Sequence, residues 1–341
     1  MRLGKLNVGY VVALCVAVLS PVTSTSAHAG GQPPASPATA PITVTGGVLF
    51  GGYSSADAHN GRNRQLATAH LEALALRPLA VERVFYRWED GCVTDDDKVS
   101  VGRGRTLLIS WDAQHADKSL PATPWAGIAS GRYDAAIDRC AAALAGLAVP
   151  VFFTFQHEPE THLGTGAGNA GTAAEYVAAW RHVHDRLRVR GATNVTFVQI
   201  LMAWTLRHGR GDYYYPGDSY VDYLAADGYN WYGCSGQPGP WNSPTQVFAP
   251  FYNWGVAHGK PLIIAEWGTG EDPATPGRKA KWISDLTAMV KGWPQIKVVT
   301  IFNSGRVPSC ARYADTSTSS LMAYQAMGAD PYFHGVMTGG R

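Results

Sequence analysis

Eight strand-like apolar runs alternate along this chain with helix-like runs, and that alternation limits the fold more than any other property. The runs fall at 47–53, 83–88, 106–112, 150–156, 195–202, 223–231, 261–266 and 297–303. Helical patterns lie between and after them at 64–76, 133–147, 173–190, 244–258, 277–290 and 319–327. Short continuous apolar runs suit strands buried on both faces, the hallmark of a parallel sheet. Eight of them, interleaved with helices, predict a (β/α)8 TIM barrel of the α/β class folded as a single domain. An open doubly wound sheet would carry a glycine-rich phosphate turn after its first strand. Gly46-Gly47 and Gly51-Gly52 lack the G-x-G-x-x-G order of that turn. Local signals agree: Thr172 and Glu175 form a capping box ahead of the 173–190 helix, and Gly191 closes it.

The flanks set the domain limits. Met1-Arg2-Leu3-Gly4-Lys5, an apolar stretch over 8–19 and Ala27-His28-Ala29 read as a signal peptide over 1–29. The stretch is short for a spanning helix, and Leu14 before Cys15 disfavours a lipoprotein signal. Residues 30–41, rich in Gly, Pro, Ala and Ser, read as a flexible leader, and 42–336 as the barrel. A secreted, extracellular protein without membrane attachment follows, and a monomer is expected. The near-neutral net charge of +2, with 16% charged residues, lacks the basic stripe that nucleic acid requires. Cys92, Cys140, Cys234 and Cys310 follow the leader; their even number in an exported chain predicts two disulfides. Three pairings are possible. Cys234 with Cys310 is favoured because both follow late strands, which leaves Cys92 with Cys140. No C-x-x-C pair is present, so a zinc site is not expected; no other metal and no cofactor is expected either. Asp95-Asp96-Asp97 lacks EF-hand spacing and reads as a solvated loop.

Chemistry concentrates at strand ends, the active face of such a barrel. The fourth run ends in His157-Glu158-Pro159 and the seventh in Glu266-Trp267-Gly268. A carboxylate there is costly to desolvate without a partner or a task. Two of them on separate strands match the acid/base and nucleophile of glycosidic-bond hydrolysis. Glu158 is the candidate acid/base, with His157 to orient it or a substrate hydroxyl. Pro159 is expected to push Glu158 toward an extended backbone. Glu266 is the candidate nucleophile, with Trp267 to shield it from water. Trp88, Trp111, Asp112, Trp204 and Asn303 also fall at strand ends and read as a sugar-binding rim, consistent with 11 Trp and 16 Tyr in the chain. Asp112 is the one rival carboxylate. Asp227 reads as a loop anchor, and Glu160 and Glu271 as solvent-facing.

Glutamates on the fourth and seventh strands resemble the catalytic arrangement of clan A glycoside hydrolases. His rather than Asn before the first glutamate resembles family 26, best known for β-mannanases. The likeness also covers Gly51-Gly52-Tyr53, Ile109-Ser110-Trp111-Asp112, 227–233 (Asp-Gly-Tyr-Asn-Trp-Tyr-Gly) and Ala265-Glu266-Trp267-Gly268. It implies a secreted retaining endo-glycosidase acting on a β-linked polysaccharide or oligosaccharide, with β-mannan first. It also implies that Tyr229 hydrogen-bonds the nucleophile, with Asn230 and Tyr232 competing for that role and Trp231 lining a subsite. The chain departs from the family at Thr154-Phe155, where an arginine is usual, and at Pro159-Glu160-Thr161, where Met-Asn-Gly is usual. Two alternatives stand beside this reading: a non-catalytic carbohydrate-binding barrel, and a clan A hydrolase of xylan or β-glucan.

Overall fold

The strand-like runs become eight parallel strands: β1 (Thr43–Ser54), β2 (Val81–Tyr86), β3 (Thr106–Trp111), β4 (Val151–Phe155), β5 (Val195–Met202), β6 (Tyr223–Asn230), β7 (Leu262–Thr269) and β8 (Ile296–Asn303). Neighbours in sequence are neighbours in the sheet, and β1 bonds both β8 and β2, which closes the barrel. The structure is a computed structural model describing residues 40–234, 239–305 and 310–339. The expected signal peptide and residues 30–39 of the leader lie outside the described residues. Around the barrel run α1 (Arg64–Ala75), α2 (Asp95–Gly102), α3 (Trp125–Ala129), α4 (Asp134–Gly146), α5 (Ala173–Val189), α6 (Ala203–Arg207), α7 (Pro244–Ala257), α8 (Arg278–Gly292) and α9 (Thr318–Ala329). The expected capping box is formed: Glu175 N donates to Thr172 Oγ1 at 3.2 Å, and Thr172 N to Glu175 Oε2 at 2.7 Å.

Two elements differ from expectation. A ninth strand, β9 (His334–Thr338), pairs antiparallel with the start of β1, Thr43 opposite Thr338, and carries the barrel past residue 336. The acidic run at 95–97 opens α2 rather than a solvated loop. Thr94 caps it, and Asp97 is buried, accepting from Thr94 N and Tyr86 OH at 2.7 Å and pairing with Arg64 at 2.8 Å. Carboxylates in a first helical turn also offset the helix dipole. Both disulfides are present in the favoured pairing: Cys92–Cys140 and Cys234–Cys310.

The barrel has two apolar layers. The inner one contains Ile42, Val44, Leu49, Val81, Leu108, Phe152, Val198, Tyr223, Ile263, Ala265 and Val298. Ile42 closes its base, donating to Thr196 Oγ1 and accepting from Tyr223 OH. The outer layer lies between strands and helices and holds most large aromatics, including Trp111, Trp180, Trp267 and Trp282.

A bulge in β7 decides what faces the upper lumen. Ala226 pairs with Ile264, yet Asp227 pairs with Glu266, so Ala265 is an extra residue in the ladder. Ile263 and Ala265 belong to the inner layer. Strict alternation would therefore turn Glu266 outward and Trp267 inward. The bulge reverses that phase, as bulges beside functional sites do.

Candidate active site

After β4 the backbone adopts two unusual conformations. Gln156 and Glu158 lie in the left-handed region at φ 55° and 45°. Such conformations are uncommon for residues with a Cβ and cost about 1–3 kcal/mol each. Neighbouring strands hold them. Gln156 N donates to Trp111 O, Ala113 N to Gln156 Oε1, and Glu158 N to Ile200 O, at 3.0, 3.0 and 3.1 Å. Pro159 does exclude the right-handed helical region for Glu158. The outcome is a left-handed residue rather than the expected extended one, and the strand bonds on either side force the tight reversal.

Glu158 and Glu266 share one cleft of about 880 Å³ with His157, Asp112, Tyr229 and Trp231. Burial, and then the negative charge of Glu266, push the Glu158 carboxyl up from 4.5 to about 8. The Glu266 environment is polar. Tyr229 OH donates a short hydrogen bond to Oε2, and the buried Arg83 guanidinium lies 3.7 Å from Oε1. Asn230 instead donates to Thr269 Oγ1, and Tyr232 packs on Trp241. Burial and Glu266 also raise the Tyr229 phenol well above its usual range, so it remains a donor.

His157 Nδ1 sits 3.0 Å from Asp112 Oδ1. Burial alone would lower the imidazole's pKa, but the Asp112 charge and hydrogen bond outweigh it and the net shift is upward. Ligand-type atoms of His157, Asp227 and Glu266 lie within 4.8 Å of one another. Asp227 is not a loop anchor. It is buried beside Glu266 without a hydrogen bond among the described residues, and burial plus the Glu266 and Glu158 charges hold its carboxyl well above the usual range.

The aromatic rim is narrower than the sequence suggested. Trp231 is 53% exposed at the cleft mouth, with the Arg312 guanidinium 4.5 Å over its ring. Trp88 and Trp111 stack on each other at 4.3 Å, with Trp111 buried in the outer layer, and neither lines the cleft. Trp267 packs against Trp282 and Tyr324 behind the barrel, because the bulge turns it outward. Trp204 lies on α6 against His208, exposed but outside the cleft lining. Asn303 is buried and ties loops together, donating to Asn60 Oδ1 and Ser54 Oγ and accepting from Ala314 N. Glu160 faces inward, where it accepts from Met202 N at 2.7 Å, and Glu271 accepts from Thr316, Ser317 and Ser320. The buried position of Trp267 has a measurable consequence. Trp267→Ala is expected to cost about 3–5 kcal/mol of stability in urea unfolding, and unchanged stability would contradict the outward packing.

Several cleft residues escaped sequence reading. Arg83 donates to Ser110 Oγ at 2.7 Å and stacks over Phe85 at 4.1 Å. Arg312 covers Tyr229 at 4.3 Å. Phe85, Met202 and Phe302 also line the wall, beside Tyr53 of the Gly51-Gly52-Tyr53 segment. A charged residue inside a strand-like run, two positions from Phe85 and so on the same strand face, was the available signal for Arg83. Arg312 follows β8 in a loop with no pattern to mark it.

Comparison with known proteins agrees with this geometry. The model of glycosyl hydrolase family 26 matches residues 118–260. Endoglucanase H of Acetivibrio thermocellus is 32% identical over 191 residues, covering 53% of this chain and 20% of that protein. The chain thus spans about a fifth of that relative's length. Among solved structures, the catalytic domain of a Bacillus family 26 endo-β-1,4-mannanase superposes with a TM-score of 0.58 at 16% identity, covering 84% of this chain and 86% of that one. A family 26 β-mannanase from Bacteroides ovatus gives a TM-score of 0.58 at 18% identity, covering 84% and 90%. At these identities the likeness establishes the fold. Residues 118–260 thus resemble glycosyl hydrolase family 26, and the described chain has the (β/α)8 fold of the family 26 structures it superposes on.

Proposed function

We propose that this chain is a retaining endo-glycosidase of a β-linked polysaccharide, with β-mannan first among its substrates. The observation that carries this is the opposite treatment of two glutamates in one cleft. Glu158 is held protonated at neutral pH, while Glu266 is met by a phenol donor and a guanidinium. That is the division of labour that double displacement needs. Glu266 attacks the anomeric carbon as the bond to the leaving oxygen breaks, and Glu158 gives its proton to that oxygen. Glu158 then takes a proton from water as water displaces the Glu266 ester. His157, oriented by Asp112, borders the acid. In this reading Asp112 supports the histidine rather than acting as the essential acid, a role that its hydrogen bond to His157 favours. Trp231 and Arg312 offer a platform for a sugar face, and Tyr229 and Arg83 hold the nucleophile.

Export to the extracellular space and action as a monomer belong to the same proposal. Two disulfides favour an oxidising compartment, and no described helix is long and apolar enough to cross a membrane. A second reading, hydrolysis of β-glucan, is favoured by the endoglucanase relative and by Pro159-Glu160-Thr161 where mannanases usually carry Met-Asn-Gly. Incubation with mannan, mixed-linkage glucan and xylan, with new reducing ends assayed, separates these. Release from mannan is expected. Release from glucan alone moves the assignment to the second reading, and binding without release favours a non-catalytic barrel.

Activity is expected to fall as pH rises through about 8, because the reaction consumes the protonated form of Glu158. A kcat/KM profile flat to pH 10 would contradict that role. Trp231→Ala should raise KM about 2- to 12-fold with little change in melting temperature, the scale of one lost aromatic contact at an exposed site. An unchanged KM would remove Trp231 from the binding surface.

A further inference from the structure

Beside the cleft mouth, three side chains from separate segments meet: His59 in the β1–α1 loop, His70 on α1 and Asp315 in the β8–α9 loop. We infer that they form a divalent transition-metal site, of the zinc class, that ties the β1–α1 and β8–α9 loops together. His59 Nε2 lies 2.9 and 3.1 Å from the two Asp315 oxygens, and His70 Nε2 lies 3.9 Å from Asp315 Oδ2. The three ligand atoms are within 4.8 Å of one another. Atoms each bound to one tetrahedral zinc at about 2.0–2.2 Å stand about 3.3–3.6 Å apart, so the observed separations bracket the required ones.

The second, independent observation is His70 itself. Its Nε2 is buried and has no hydrogen-bond partner among the described residues, although it points at the Asp315 carboxylate. A buried imidazole nitrogen left unpaired is costly, and a metal ion supplies the missing partner. Two imidazoles and one carboxylate suit zinc, nickel or copper and offer too few oxygens for calcium.

The ligands are held in place from behind. The His59 ring stacks on Tyr313 at 4.1 Å, Tyr313 OH donates to Asp57 at 3.0 Å, and Asp57 also accepts from His59 N at 2.9 Å. Buried Lys279 donates to Tyr313 O and Thr316 Oγ1, which fixes the chain on both sides of Asp315. Such support is what metal ligands need. Asp315 follows Arg312 by three residues, so the ion would anchor the loop that places Arg312 over Tyr229 and Trp231. The sequence reading, which expected no metal, did not single out these residues: His59 and His70 show no metal-ligand spacing, and Asp315 lies far along the chain.

The test is calorimetric titration of the metal-stripped full chain with zinc chloride, with melting temperature followed in zinc and in EDTA. One bound equivalent and a higher melting temperature in zinc are expected. His70→Ala and Asp315→Asn should each lose that equivalent and melt alike in zinc and in EDTA. No stoichiometric binding, or undiminished binding by His70→Ala, would overturn the site. An equivalent lost in Glu266→Ala but kept in His70→Ala would place the ion in the cleft and equally overturn it.

Discussion

Glu266→Ala is expected to retain less than about one ten-thousandth of wild-type kcat, the scale seen when a covalent nucleophile is removed. The loss should fall on kcat rather than KM, because Trp231, Arg312 and Tyr229 still line the cleft. Added azide should restore part of the turnover and give a glycosyl azide of inverted configuration, since a small anion fits where the carboxylate stood. Neutralising position 266 also removes a charge that raises Glu158, so the Glu158 carboxyl should titrate below its wild-type value of about 8 in the variant. Substantial activity in Glu266→Ala, or a Glu158 titration that does not move, would break the link between the two groups.

Glu158→Gln carries the second large effect. Loss of the general acid should slow polysaccharide hydrolysis about 10²- to 10⁴-fold. An aryl glycoside with a good leaving group needs no proton at departure, so its first step should stay fast. Glycosyl-enzyme then accumulates, because the base for the second step is missing, and a burst of released aryl alcohol should appear. The alkaline limb near pH 8 should vanish from that first step. Stability should move the other way. The folded carboxyl is raised from 4.5 to about 8, so the native state holds a proton that the unfolded chain has lost between those values. Stability therefore falls as pH rises through that window, and Glu158→Gln should melt higher than the parent at pH 8. Lower melting of the variant at pH 8, or equal slowing on both substrate types, would argue against Glu158 as the acid.

Much of this was legible in the chain, and the limits are physical. The run at 195–202 is the full extent of β5, and the other seven runs all became strands, because buried parallel strands advertise themselves as unbroken apolar stretches. The glutamates were legible for a related reason, as charges that end such stretches. Side-chain direction was not. Trp111 and Trp267 lie next to residues that line the cleft, and one step along a strand turns a side chain to the other face. At Glu266 even alternation would have misled, because the bulge at Ala265 shifts the phase. Arg312 and the pair His59 and His70 were out of reach for another reason: loop and helix positions come together only when the barrel closes β8 onto β1.

The most direct measurement is proton NMR of the first-formed product during hydrolysis of whichever β-glycan the protein cleaves. If Glu158 and Glu266 act as acid/base and nucleophile, the β-anomer appears first and the α-anomer grows in only by mutarotation. An α-anomer formed first would mean single displacement by water and would contradict the assignment of Glu266 as nucleophile.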